Sequence, residues 1–117
     1  MYIKQSNLDK AAEYINRALV INLKLFGENY LDVASNYSSL GLIYKEQGNL
    51  DKAAEYINRA LAINLKLFGE YHPDVASNYS SLGLIYNEQG NLGQAEESIN
   101  KALAIDLKLF GENHRTW

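Results

Sequence analysis

Asn49-Leu50-Asp51-Lys52-Ala53-Ala54-Glu55-Tyr56-Ile57-Asn58-Arg59-Ala60-Leu61 decides the fold, because the chain carries this stretch nearly three times. It also starts at Asn7 and, with changes, at Asn91, a spacing of 42 residues. Residues 7–48 and 49–90 agree at 37 of 42 positions, differing at 20/62, 29/71, 30/72, 31/73 and 45/87. Residues 49–72 and 91–114 agree at 17 of 24. Tyr2 and Gln5 match Tyr44 and Gln47, so the first six residues keep the same period. The chain reads as a single repeat domain over 1–117, with units 7–48 and 49–90, a partial unit 91–117, and 1–6 as the remnant of a preceding helix. A period of this length marks an array of small units that cannot bury their apolar faces alone and must stack.

Each unit holds two helical patterns. Val33, Tyr37, Leu40 and Tyr44 recur at helical spacing, with Ala34, Gly41 and Leu42 beside them, and predict a first helix from about Asp32 to Gln47. Leu50, Ala53, Ile57, Ala60 and Leu61 form a second stripe, extended by Leu65 and Phe68. Gly48 and Gly69 supply the stops, because glycine accepts the left-handed geometry that closes a helix. Asn49 suits an N-cap, its side-chain oxygen meeting a free backbone N–H, and Asp51 places negative charge in the first turn. Pro73 opens the next first helix, whereas the earlier copy has Leu31 there. Gly41 and Gly83 lie mid-helix, where glycine is unfavourable, and therefore predict close helix–helix approach opposite small Ala53, Ala60, Ala95 and Ala102. The expected architecture is all-α, with five main helices in antiparallel hairpins and a short N-terminal stub.

Composition removes several function classes. Of 117 residues 47% are hydrophobic, too many for a disordered chain. Eleven basic against fourteen acidic residues give a net charge of -3, without the basic footprint that nucleic acid or an anionic membrane requires. Cysteine is absent, which excludes disulfides, thiolate metal sites and thiol nucleophiles. No apolar run approaches the length of a membrane span, and Met1–Asn7 shows no secretory signal, which points to a cytoplasmic setting.

No catalytic constellation emerges, so the chain is expected to be neither an enzyme nor a cofactor or metal protein. His72 and His114 stand one repeat apart and read as turn residues ahead of a helix. Glu46-Gln47 and Glu88-Gln89 recur as a solvated ladder rather than as an acid–base pair. The glycines mark helix stops and build no phosphate cradle. Tyr37, Tyr44, Tyr79 and Tyr86 are expected in the core, and Tyr14 and Tyr56 nearer the surface.

These residues carry a family resemblance. Leu40-Gly41-Leu42-Ile43-Tyr44, followed by Ala53 and Ala60, resembles the tetratricopeptide repeat, with Tyr37 in the place of that family's tryptophan, Ile57 in that of its phenylalanine and Leu65 in that of its proline. The 42-residue period, with its extra residues between Phe68 and Val75 and with His72-Pro73-Asp74-Val75-Ala76 opening a unit, is similar to the kinesin-light-chain type. The resemblance implies an α-solenoid of about 2.5 repeats whose first helices line a concave groove for a protein or peptide partner. The groove positions it implies are Ser35, Ser38, Leu42, Lys45 and Glu46, then Ser77, Ser80, Leu84, Asn87 and Glu88. Kinesin-light-chain repeats usually carry asparagine where Ser38 and Ser80 stand. Lys45 has Asn87 as its twin, which leaves no clamp of basic residues for a carboxylate tail.

The ends suggest a different role. Residues 7–26 lack a full preceding helix, so an apolar face including Ile15, Leu19, Leu23 and Phe26 is expected to be partly uncovered, a route to homo-oligomers. The third copy is more polar, with Gly93, Glu96, Ser98 and Asp106 in place of Asp51, Ala54, Tyr56 and Asn64, as suits a water-facing terminal unit.

Overall fold

The computed structural model describes residues 2–111, with side chains from Asn7 onward. Five α-helices follow in order: α1 Tyr2–Phe26, α2 Leu31–Glu46, α3 Leu50–Phe68, α4 Pro73–Glu88 and α5 Leu92–Asp106. A single wider, π-helical turn continues α5 over Leu107–Gly111. Each helix packs on the next in the chain, and α2 also touches α4 directly. The first helix of each unit thus lies beside the first helix of the following unit. His114 and the residues after it lie outside the described part.

The glycines do the turning. Gly27, Gly48, Gly69 and Gly90 all have φ between 82° and 84°, a region that costs a residue with a Cβ. The N-terminal remnant differs from expectation for this reason. Ser6 stands where the other copies have Gly48 and Gly90, and the backbone runs straight through it, so residues 2–6 extend α1 instead of forming a separate stub. The caps follow local chemistry. Asn49 Oδ1 accepts from the Lys52 backbone N–H at 3.4 Å. His72 Nδ1 accepts from the Asp74 N–H at 3.1 Å, and its ring stacks on Phe68 with centroids 4.0 Å apart. Asn91 makes no backbone cap and bonds the Gln94 side chain.

Two apolar clusters form the core. One joins Ala12, Leu19, Val33, Ala34, Leu40, Ile43 and Ile63, and so ties α1, α2 and α3 together. The other joins Ala53, Ile57, Leu61, Val75, Ala76, Leu82, Ile85 and Ile105 across α3, α4 and α5. A Cβ added to Gly41 would fall 2.6 Å from two side-chain carbons of Ile57, and Gly83 sits the same way against Ile99. The hydrogen is therefore what lets each first helix close on its second. Tyr56 is half-buried rather than surface-lying, with its ring against Tyr37 and Tyr44 at 5.8 and 5.3 Å. Tyr14, its twin in α1, is 66% exposed.

Polar contacts repeat with the same period. Gln47 Nε2 donates to Asp9 at 2.6 Å and Gln89 Nε2 to Asp51 at 2.8 Å, each fastening the end of a first helix to the start of the second helix that precedes it in the chain. Glu13–Arg17, Glu55–Arg59 and Glu97–Lys101 pair one turn apart on the second helices. Arg59 also lies over the rings of Tyr37 and Tyr56, and a hydrogen bond with Tyr37 raises its already high pKa, fixing the positive charge.

Candidate binding groove

Where α2 and α4 lie side by side, small polar residues replace core side chains. Ser35, Ser38 and Ser39 from α2 and Asp74, Ser77 and Asn78 from α4 enclose a cavity of about 240 Å³, with Ala34 and Asn64 completing the wall. Three of the expected groove residues, Ser35, Ser38 and Ser77, meet here. The floor is a chain of amides. Asn64 Nδ2 donates to Asn78 Oδ1 at 2.8 Å, and Asn78 Nδ2 donates to Ser38 Oγ at 3.1 Å. Both asparagines are 4% exposed, so these bonds offset the cost of burying their amides. The sequence pattern placed neither in the groove. Their signal was polar identity at otherwise buried places in both long copies, since Asn22 and Asn36 repeat the pairing at 2.9 Å.

The remaining expected positions divide. Lys45 Nζ lies 3.5 Å from Glu88 Oε2, so α2 and α4 pair these two charges with each other, and the Lys45 side chain keeps 19% of its surface exposed. Leu42 and Leu84 are 46% and 54% exposed, and Glu46 is exposed without an ion-pair partner among the described residues. Leu84 and Asn87 line a second cavity with Gly83, Leu92, Ala95 and Ile99, between α4 and α5 at the C-terminal end. Ser80 is half-buried and borders neither cavity.

The N-terminal face requires a correction. Leu19 is 7% exposed, and it packs with half-buried Ile15 and Leu23 against α2, inside the molecule. Phe26 is 52% exposed and stacks on Tyr30 at 4.2 Å. The face of α1 left open carries Tyr14, Ile21 and Leu25, at 66%, 56% and 69% exposure. The reason is helical phase: Leu19 and Leu23 point to the helix that follows α1, while Tyr14, Ile21 and Leu25 point to nearly the opposite side.

No group of three or more metal-ligating side chains occurs among the described residues, and none of their helices is long and apolar enough to cross a membrane.

Stacked helix hairpins with a glycine at each internal close approach define a helical repeat protein. The tetratricopeptide repeat family matches residues 1–66 and 43–108, and the chain belongs to that family. No curated protein matches it. Among solved structures, BtubC (BKLC) from P. vanneervenii is 32% identical with a TM-score of 0.84, the match covering 88% of this chain and 41% of that one. A Podosopora anserina protein described as a kinesin light chain with nearly identical TPR-like repeats is 22% identical with a TM-score of 0.80, covering 91% and 51%. The latter shows a shared fold alone. The chain spans about half or less of the length of these proteins. Repeats of this family generally serve as protein–protein interaction scaffolds, and the fold is typically a non-catalytic module.

Proposed function

We propose that the chain holds a peptide or partner helix along the face shared by α2 and α4. The observation that carries this reading is the set of side chains that packing leaves unused there. Leu42 and Leu84 project from two adjacent first helices, two turns along from Ser35 and Ser77 of the serine-lined cavity, although leucine is costly to leave in water. Partner side chains would cover the leucines while backbone and polar groups met the hydroxyls. The test is selection of binding peptides from a displayed library, followed by Leu42→Lys with Leu84→Lys. Both sites are exposed, so the double variant should keep its helicity and lose the selected peptides. Peptides that bind the variant as tightly as the parent would rule the groove out.

A second reading rests on a separate observation. Ile63 is 7% exposed and Leu61 8%, whereas Ile21 and Leu103, their twins at the two ends, are 56% and 53% exposed. A second copy covering these faces would assemble the chain into multimers. In the middle of the molecule both leucine and isoleucine are covered by first helices, α4 and α2. Two copies laid end to end would bring the open face of α5 in one against the open face of α1 in the other, second helix on second helix. Light scattering behind size exclusion over a dilution series tests this. A multimer that dissociates on Ile21→Lys or Leu103→Lys supports it, and a 13.2 kDa monomer at every concentration overturns it.

A further inference from the structure

The amide floor of the α2–α4 cavity leaves one polar atom without a protein partner. Asn64 is 4% exposed, its Nδ2 is committed to Asn78, and its buried Oδ1 accepts from no donor. The groups around it are rich in acceptors. Asp74 brings a carboxylate, four serines bring hydroxyl oxygens, and no lysine, arginine or histidine lines the cavity. Lys45, a cation on α2, is engaged with Glu88 on α4. In the third copy the position of Asn64 is held by Asp106, which keeps the acceptor and drops the donor. A buried acceptor left unpaired is costly, and a ligand donor that reaches it recovers that cost.

We infer that this cavity is a specificity subsite for a lysine side chain of the bound segment, its ammonium meeting Asn64 Oδ1, Asp74 and the serine hydroxyls. The inference rests on the groove reading and narrows it to a class of partner: a segment with a lysine placed between α2 and α4. An ammonium suits the site because its three donors match several converging acceptors. Its charge complements the one formal charge in the lining, Asp74. The subsite requires two consecutive first helices, which explains why the Asn22–Asn36 pair, with no first helix described before it, builds no equivalent cavity.

The test is an amide NMR titration of the chain with three blocked tripeptides, glycine-X-glycine, in which X is lysine, norleucine or glutamate. The lysine peptide should shift the Asn64 and Asn78 side-chain amides and the Ser38 and Ser77 backbone amides in a saturating way. Norleucine, which keeps the length and loses the charge, should leave them in place, as should glutamate. Asp74→Asn, on an exposed first-turn site, should weaken the lysine peptide by about fivefold. Equal shifts with norleucine, binding of the glutamate peptide, or no shift with lysine would overturn the inference. Should the lysine peptide fail while library-selected peptides still depend on Leu42 and Leu84, the groove stands and the subsite falls. Loss of both would remove the groove itself.

Discussion

Leu61 and Leu103 hold the same place in successive copies of one sequence, yet the first is 8% exposed and the second 53%. Ile63 and Ile21 make the same contrast at the other end, at 7% and 56%. Local sequence is nearly constant across these pairs, so burial here is a property of neighbours. The unit specifies two helices and a turn, and the next unit specifies which leucine counts as core. Stability in such an array divides into the unit's own terms and the contacts between units.

The sharpest way to break this comparison is to truncate both leucines. Leu61→Ala should cost about 2–5 kcal/mol, because it leaves a cavity between α3 and α4. Leu103→Ala should stay within about 0.5 kcal/mol, because its side chain is already half in water. Urea denaturation followed by circular dichroism measures both. Equal losses would mean that Leu103 is covered in solution, by another copy or by the residues that follow.

Glycine gives a second, smaller contrast. Gly83→Ala puts a methyl into Ile99, and should cost about 1–3 kcal/mol through overpacking. Gly93→Ala meets nothing within 4 Å in the first turn of α5, and should gain up to about 1 kcal/mol from helix propensity. Thermal melts of the two variants should therefore move in opposite directions. A neutral Gly83→Ala would show that Ile99, half-buried at the end of the array, yields where Ile57, 1% exposed under Gly41, has no room to do so.

The fold was legible because the period repeats its own evidence. Glycine at each stop, alanine at each close approach and a 42-residue spacing all agree, and a consistent pattern of this kind specifies one stacking. The ends were harder to read. On α1 the phase follows the repeat: Leu19, assigned to an open face, lies under α2 as its twin Leu61 lies against α4. The continuous α1 turned on one residue, Ser6 in place of glycine. The site was half legible. Ser35, Ser38 and Ser77 converge, but the amides that shape their cavity come from Asn64, on the second helix, and from Asn78, whose polar identity hid its burial. Lys45 read as a groove position, and its partner Glu88 is 43 residues away on the neighbouring first helix.

The smallest expected effect compares the two turns that open α2 and α4. Pro73 begins α4 and Leu31 begins α2, and the residues before them adopt nearly the same extended backbone, φ -138° and ψ 142° at His72 against φ -126° and ψ 139° at Tyr30. That geometry is what a residue preceding proline prefers. Leu31 stands at the first helical position, where the N–H has no partner within the helix, and its side chain is 44% exposed. Leu31→Pro therefore removes no helix hydrogen bond and buries nothing new. It restricts the unfolded chain, and should stabilise the protein by about 0.4–1 kcal/mol. A raised denaturation midpoint with an unchanged slope is the expected result. A loss of stability would mean that the first turn of α2 depends on the Leu31 side chain in a way that its twin, built on proline, does not.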